Sequence, residues 1–219
     1  EDILFTIKEL LTRRLPDYYD VNPLTDIQVI TPMKKRTLGT ENLNAVLQEV
    51  LNPAKPSSAE RKHGDKVFRT GDKVMQIKNN YQIEWQRLSD SLEGEGVFNG
   101  DIGYIKSIDK EYGQMTVVFD EDKYVTYDFS QLDELELAYA ITVHKSQGSE
   151  YPIVIMPMSW FPPMLANRNL LYTALTRGKE VVVVVGSEDR MKAMVDNNEI
   201  SKRYTGLEYR LRKMIESPF

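Results

Sequence analysis

Five consecutive valines, Val181 to Val185, constrain this chain more than any other feature. A β-branched run without polar alternation has no face to give to water. It reads as a fully buried strand of a parallel sheet with helices on both sides. The preceding segment agrees: Asn167 to Thr176 spaces Leu170, Leu171, Ala174 and Leu175 along one helix face, and Gly178 turns the chain into the valines. Ile27 to Thr31 (IQVIT) is another short buried strand, ending at Pro32. Beyond it, Leu43, Val46, Leu47, Val50 and Leu51 make a helical stripe, with Thr40 as expected N-cap and Pro53 just past the end. Leu135 to Ala140 and Ile153 to Met158 read as further strands. Asp2 to Arg14 and Ile200 to Ile215 read as helices.

The texture changes between these α/β stretches. Asn52 to Lys66 (NPAKPSSAERKHGDK) is rich in Pro, Ser and charge, and reads as an exposed connection. Short β-prone runs follow at Val67 to Ile77, Gly103 to Ile108, Met115 to Phe119 and Lys123 to Tyr127, separated by turn signals. Tyr81 to Gly96 reads as a long polar loop among them. The expected architecture is α/β: a parallel-sheet domain built from both ends of the chain, residues 1–64 and 132–219, with a small β-barrel of residues 65–131 inserted.

Composition closes several function classes. The chain has 219 residues, 41% of them hydrophobic, enough for a packed core. No apolar run approaches the ~18–20 residues that cross a bilayer, and Glu1 to Leu11 is too charged for a secretory signal, so a cytoplasmic protein without membrane contact is expected. There is no cysteine, and His63 and His144 are the only histidines, so no metal site is expected. A net charge of −5 argues against a protein that coats nucleic acid, though not against one that grips a few phosphates in a groove.

Three segments carry chemistry: VITPMKKRTLGTENLN (Val29 to Asn44), AYAITVHKSQGSEYPIVIM (Ala138 to Met156) and LLYTALTRGKEVVVVVG (Leu170 to Gly186). Arg177 leaves the helix at the rim of the sheet, taken here as the ligand-bearing edge, with its head group free to meet phosphoryl charge. Gly148 permits a tight turn after a short helix that bears Thr142, His144 and Lys145. A hydroxyl, an imidazole and an ammonium all suit phosphate oxygens. Thr31, Lys34, Lys35 and Arg36 follow the end of a strand, where three positive charges can track a single-stranded backbone. Asn80 and Tyr81 offer an amide and a stacking ring.

These segments resemble the second, RecA-like motor domain of RecD-type superfamily 1 DNA helicases, the exodeoxyribonuclease V alpha subunit family, which implies a RecA-like fold for the parallel-sheet domain. HKSQGSE is similar to helicase motif V, and TALTR followed by the valines to motif VI. GDKVMQIKNNY with VFNGDIG resembles the family's SH3-like insert. The resemblance implies a 5′ to 3′ helicase using ATP and Mg2+, both held mainly by a separate N-terminal motor domain of the same protein. It implies that Arg177 is the arginine finger, that Gln147, Gly148 and Glu150 border the nucleotide, and that Thr142, His144 and Lys145 face single-stranded DNA. Nuclease-complex subunits are further partners it implies.

The sequence has no G-x-x-x-x-G-K-[ST] phosphate loop; Gly178-Lys179 is followed by Glu180. MTVVFDED (Met115 to Asp122) mimics a magnesium-binding strand, but KYVTYD follows at once, so a hairpin turn is expected there. Two other readings remain: a regulatory module with a decayed nucleotide site, and a stand-alone nucleic-acid-binding barrel. Intact HKSQGSE and TALTR argue against the first, and the acidic balance against the second.

Overall fold

The computed structural model describes residues 2–56, 58–198 and 206–216. The chain opens with α1 (Ile3–Glu9) and α2 (Leu15–Tyr19). Between them Leu10–Arg14 forms a π-turn in which the Leu15 amide bonds to Leu10. Pro16 explains it, because a residue without an N–H cannot continue the α-helical ladder. Then come β1 (Ile27–Thr31) and α3 (Thr40–Leu51). Thr40 is not the N-cap expected of it; Gly39 is, and the Thr40 and Glu41 amides donate to the Met33 and Lys34 carbonyls of the preceding loop. That loop's backbone takes the cap role a threonine hydroxyl would otherwise play.

A hairpin follows, β2 (Glu60–His63) with β3 (Lys66–Arg69), so the stretch read as connection contains the first of its strands. Next are β4 (Lys73–Gln76), β5 (Asn80–Arg87), β6 (Glu93–Val97), β7 (Ile102–Asp109), β8 (Gln114–Phe119) and β9 (Lys123–Asp128). The supposed loop Tyr81 to Gly96 is thus mostly the β5–β6 hairpin. Ile83 and Trp85 alternate with polar residues there, and both pack toward the core of this sheet. Asp120 and Glu121 turn with positive φ between β8 and β9, the expected hairpin turn.

Leu135 to Ala140 is not one strand. β10 (Leu135–Leu137) pairs antiparallel with β4, and β11 (Ala140–Thr142) pairs parallel with β1. The chain changes sheets at Ala138 and Tyr139. β12 (Tyr151–Met158), α4 (Arg168–Leu175), β13 (Gly178–Gly186), α5 (Glu188–Asp196) and α6 (Leu207–Glu216) complete the order. Ile200 to Thr205 of the last expected helix lie outside the described residues.

The parallel sheet runs β11-β1-β12-β13, and the antiparallel one β10-β4-β7-β8-β9-β5-β6. The latter therefore extends past Gln131 to Leu137. Alternate residues of the parallel strands face two cores. Val29, Ile153 and Ile155 meet Ile7, Leu11, Leu43 and Leu47 on one side; Ile30, Val154 and Met156 meet Leu171 and Ala174 on the other. The valines are covered on both faces as expected but not fully buried. β13 is the edge strand, so Val181 to Val184 are only half-buried.

The two sheets meet over buried polar groups. Lys73 is 2% exposed. Its Nζ lies 5.9 Å from the Tyr151 ring centroid, and neighbouring Tyr104 donates its hydroxyl to the Leu24 carbonyl. Burial pulls the ammonium down to about 8, against the attraction of Asp26. The folded value lies below the ordinary 10.5, so the charged form costs the fold. That cost is present in full below pH 8 and is relieved as pH rises toward the unfolded value. Lys73→Met should therefore stabilise the chain at pH 7 by about 2 kcal/mol, a tenfold change in proton affinity being worth ~1.4 kcal/mol. It should also flatten the gain in stability between about pH 8 and 10. Chemical denaturation at both ends of that window checks this, and a variant weakened at pH 7 would show that the charge supports the junction.

Candidate functional site

The parallel register sorts the motif residues onto opposite edges of one sheet. Thr31 and Thr142 are register partners at the carboxyl ends of β1 and β11. Arg177 directly precedes β13, and its carbonyl accepts from the Tyr151 amide at 2.8 Å, at the amino end of β12. Arg177 is thus not on the carboxyl edge where the sequence reading put it. A helix that leads through a turn into a strand delivers its last residue to that strand's amino end.

At this amino edge the guanidinium is committed rather than free. Nε donates to the Thr173 carbonyl, Nη1 to the Ser149 carbonyl and Nη2 to the Thr176 hydroxyl, each at 3.1 Å. Three of its five N–H groups are engaged, leaving two for a ligand. Gln147 and Glu150 are exposed; Glu150 directly follows Ser149 and lies 3.9 Å from Lys179. Gly148 has φ +88 and open space around it, so a left-handed turn presents bare backbone to solvent. The segment before it is not the helix expected. Residues 143–148 form consecutive turns, with the Lys145 and Ser146 amides both donating to the Thr142 carbonyl.

At the carboxyl edge, His144, Lys34, Lys35 and Arg36 are exposed. Arg36 sits at φ 75 with its guanidinium 4.8 Å from the ring centroid of Trp160. Thr31 is not available: it is fully buried, and its hydroxyl donates to the Leu38 carbonyl at 2.7 Å, pinning the basic loop from beneath. Lys145 is half-buried, and its ammonium bonds the Asn99 side chain of the β6–β7 turn. Burial, with Lys34 nearby, holds that ammonium below its ordinary range against the pull of Glu136. Lys145 thus ties the motif turn to the antiparallel sheet.

Asn80 is likewise spent internally. Its amide donates to Glu134, and its oxygen accepts from the Gln82 and Ile83 amides. Tyr81 is 66% exposed and packs edge-on against exposed Phe98, with ring centroids 5.6 Å apart. Asn79 bonds both the Tyr81 hydroxyl and the Asn99 amide, so this pair leads directly to Lys145. Sequence reasoning missed Phe98, Asn99 and Trp160. Trp160 had a visible signal, a large aromatic beside Pro162-Pro163 just beyond a buried strand. Among the described residues no group of three or more His, Asp or Glu is placed to hold a metal.

The chain was compared with known proteins. A family model described as the ATP-dependent RecD-like DNA helicase SH3 domain matches residues 43–119, and one described as the UvrD-like helicase C-terminal domain matches residues 137–185. The chain is 36% identical over 161 residues to the ATP-dependent RecD2 DNA helicase of Deinococcus radiodurans, covering 74% of this chain and 20% of that protein. It is 35% identical over 119 residues to RecBCD enzyme subunit RecD of Mycolicibacterium smegmatis, covering 54% of this chain and 20% of that one. The chain therefore spans about a fifth of the length of these relatives. The solved Pif1 helicase from Candida albicans matches 99% of this chain and 55% of its own with a TM-score of 0.50; at 14% identity that likeness shows the fold alone. The motif segments and the two family models agree: the chain belongs to the RecD-like superfamily 1 DNA helicases, with matches to the RecD-like SH3 domain and to the UvrD-like helicase C-terminal domain.

Proposed function

We propose that this chain is the second motor half of a cytoplasmic, ATP-dependent DNA helicase that moves 5′ to 3′ on single-stranded DNA. The observation that carries this reading is the hydrogen bond from Arg177 to the Ser149 carbonyl, which brings two motif segments together at one edge. The residues there fit one side of a nucleotide site: an oriented guanidinium, exposed Gln147 and Glu150, and the open turn at Gly148. They do not supply a phosphate cradle or ligands for Mg2+, which we assign to a P-loop domain elsewhere in the full-length protein. ATP supplies the free energy of each step through hydrolysis of its terminal phosphoanhydride. Arg177 lends fixed positive charge to the phosphoryl group being transferred.

Nucleic acid takes the opposite edge. The turn at residues 143–148 begins beside the DNA-facing His144 and ends beside the nucleotide-facing Glu150, so one short segment spans both faces. The SH3-like insert, residues 65–131 as the sequence bounds it, guides the strand with Tyr81. By analogy with the RecD relatives, subunits of a nuclease complex are candidate partners of the full-length protein.

Lys35 provides the direct test. Fluorescence anisotropy with a labelled oligothymidylate should show salt-dependent binding by this chain. Lys35→Ala should flatten the plot of log affinity against log salt by about one unit, the change expected for one lost phosphate contact. An unchanged slope would remove Lys35 from the path, and no binding at any salt would overturn the assignment of this edge to DNA.

A further inference from the structure

The carboxyl edge holds a feature that the motifs do not use. β13 ends at Gly186, where φ is +140 and an added Cβ would lie 1.9 Å from the Met158 carbonyl oxygen. Only glycine allows the ends of β12 and β13 to approach so closely. Beside this contact, between the start of α1 and α5, opens a pocket of about 460 Å³. Ile3 and Met158 give it apolar walls, Thr6 and Ser159 add hydroxyls, and Trp160 and Arg190 complete the lining. Phe161, 4% exposed, anchors the loop in the core, while its neighbour Trp160 is 45% exposed and is covered by Arg36.

The sheet order places this pocket. Loops leave the carboxyl edge in the spatial order β11, β1, β12, β13. A strand entering at Tyr81 and Phe98 would meet His144 first, then Lys35 and Arg36, then Trp160, and last the pocket beside β13. Glu188 and Asp189 in the first turn of α5 set negative charge beside Arg190, so this rim offers no net positive charge to a phosphate. An apolar-walled pocket with hydroxyls and an indole instead suits a base, which offers flat apolar faces and a polar rim.

Resting on the carboxyl edge as the nucleic-acid face, we infer that Trp160 and the pocket it walls form a terminal subsite that receives one unstacked base of the bound single strand. Arg36 does two things there: it holds the indole in place and neutralises the phosphate next to that base.

The sequence contains two tryptophans, so Trp85→Phe leaves Trp160 as the only indole emitter. This chain would be titrated with oligothymidylates of increasing length, reading anisotropy of the labelled DNA and indole emission together. Binding should quench Trp160, and only with oligomers long enough to reach the far end of the edge. Trp160→Ala should weaken binding of the long oligomers by about tenfold, on the scale of one lost stacking contact, and Trp160→Phe should restore most of it. If Trp85→Phe does not fold, the emission difference between the unaltered chain and Trp160→Phe reports the same quenching. DNA binding that leaves Trp160 emission unchanged and Trp160→Ala at full affinity would overturn the subsite while leaving the nucleic-acid face intact. No binding of any oligomer would remove both.

Discussion

Replacing Arg177 by alanine in the full-length protein should lower DNA-stimulated ATP turnover by roughly 10³-fold or more, the scale typical of arginine fingers. The residue stands at the amino edge of the parallel sheet, tied to α4 through Thr173 and to the motif turn through Ser149. Those bonds hold the guanidinium in place, so in the proposed role its charge would act on the transition state without reorganisation. ATP affinity should change little by comparison, because the proposal assigns ground-state binding to a P-loop domain. Arg177→Lys should rescue little, since an ammonium lacks the planar fork that reaches several oxygens at once. The same bonds add a structural cost that an unengaged side chain would not carry. Losing them from a half-exposed position should lower stability by about 1 kcal/mol, well short of unfolding. Turnover and melting therefore separate the two roles. Near-normal turnover in a folded Arg177→Ala protein would remove Arg177 from catalysis, and wholesale unfolding would make it a structural clamp.

Local periodicity made the elements legible where one segment decides its own structure. The valines had to be a strand and Leu170 to Leu175 a helix, because side-chain spacing alone sets those outcomes. What periodicity does not carry is which neighbours a strand finds. Val181 to Val184 were read as fully buried, yet β13 is an edge strand, and edge position follows from long-range pairing. Leu135 to Ala140 looked like one strand because its two halves are each β-prone; nothing local says that they join different sheets. The β5–β6 hairpin was misread for a different reason. Its charged and glycine residues mask a two-residue alternation at Ile83 and Trp85 that marks a strand with one solvated face.

The chemistry of the site was legible as residue types, but the commitments of individual side chains were not. Thr31, Asn80 and Lys145 all carry groups suited to phosphates. Their partners are Leu38, Glu134 and Asn99, separated from them in sequence by as few as 7 and as many as 54 residues. A polar atom in a loop looks available until the fold shows what it satisfies. His144, Lys35 and Arg36 are exposed, and their contact with nucleic acid is what we propose for them. The edge occupied by Arg177 was readable after all: ligand-bearing loops of a parallel sheet follow strands, whereas Arg177 leads into one.

The largest effect on stability should come from Asp72, which is not among the candidate site residues. It is fully buried in the turn between β3 and β4. Oδ2 accepts from the Gln48 side chain at 2.6 Å and the Arg69 amide at 2.7 Å. Oδ1 accepts from the Asn52 side chain at 2.7 Å and the Tyr139 hydroxyl at 2.8 Å. Those four donors come from α3, its C-cap, the end of β3 and the crossover between the two sheets, so one carboxylate joins the α/β core to the inserted sheet. Burial pushes its pKa above the ordinary range, while the donors pull it back by favouring the anion. Asp72→Ala removes all four acceptor contacts and leaves the donors in a region that water enters poorly, at ~1–3 kcal/mol for each unsatisfied group. A loss of about 4 kcal/mol or more is expected, most of the margin of a domain at the low end of the usual ~5–15 kcal/mol. Asp72→Asn keeps the shape and should cost less, about 2 kcal/mol, because Tyr139 and Asn52 can reorient toward an amide but the Arg69 amide cannot. Tyr139→Phe should cost less again, and the two sites should couple, since they share a hydrogen bond. Denaturant midpoints for the three variants and the Asp72→Asn/Tyr139→Phe double variant test the order. Equal costs for alanine and asparagine, or strict additivity with Tyr139→Phe, would mean that packing rather than the shared carboxylate holds the two sheets together.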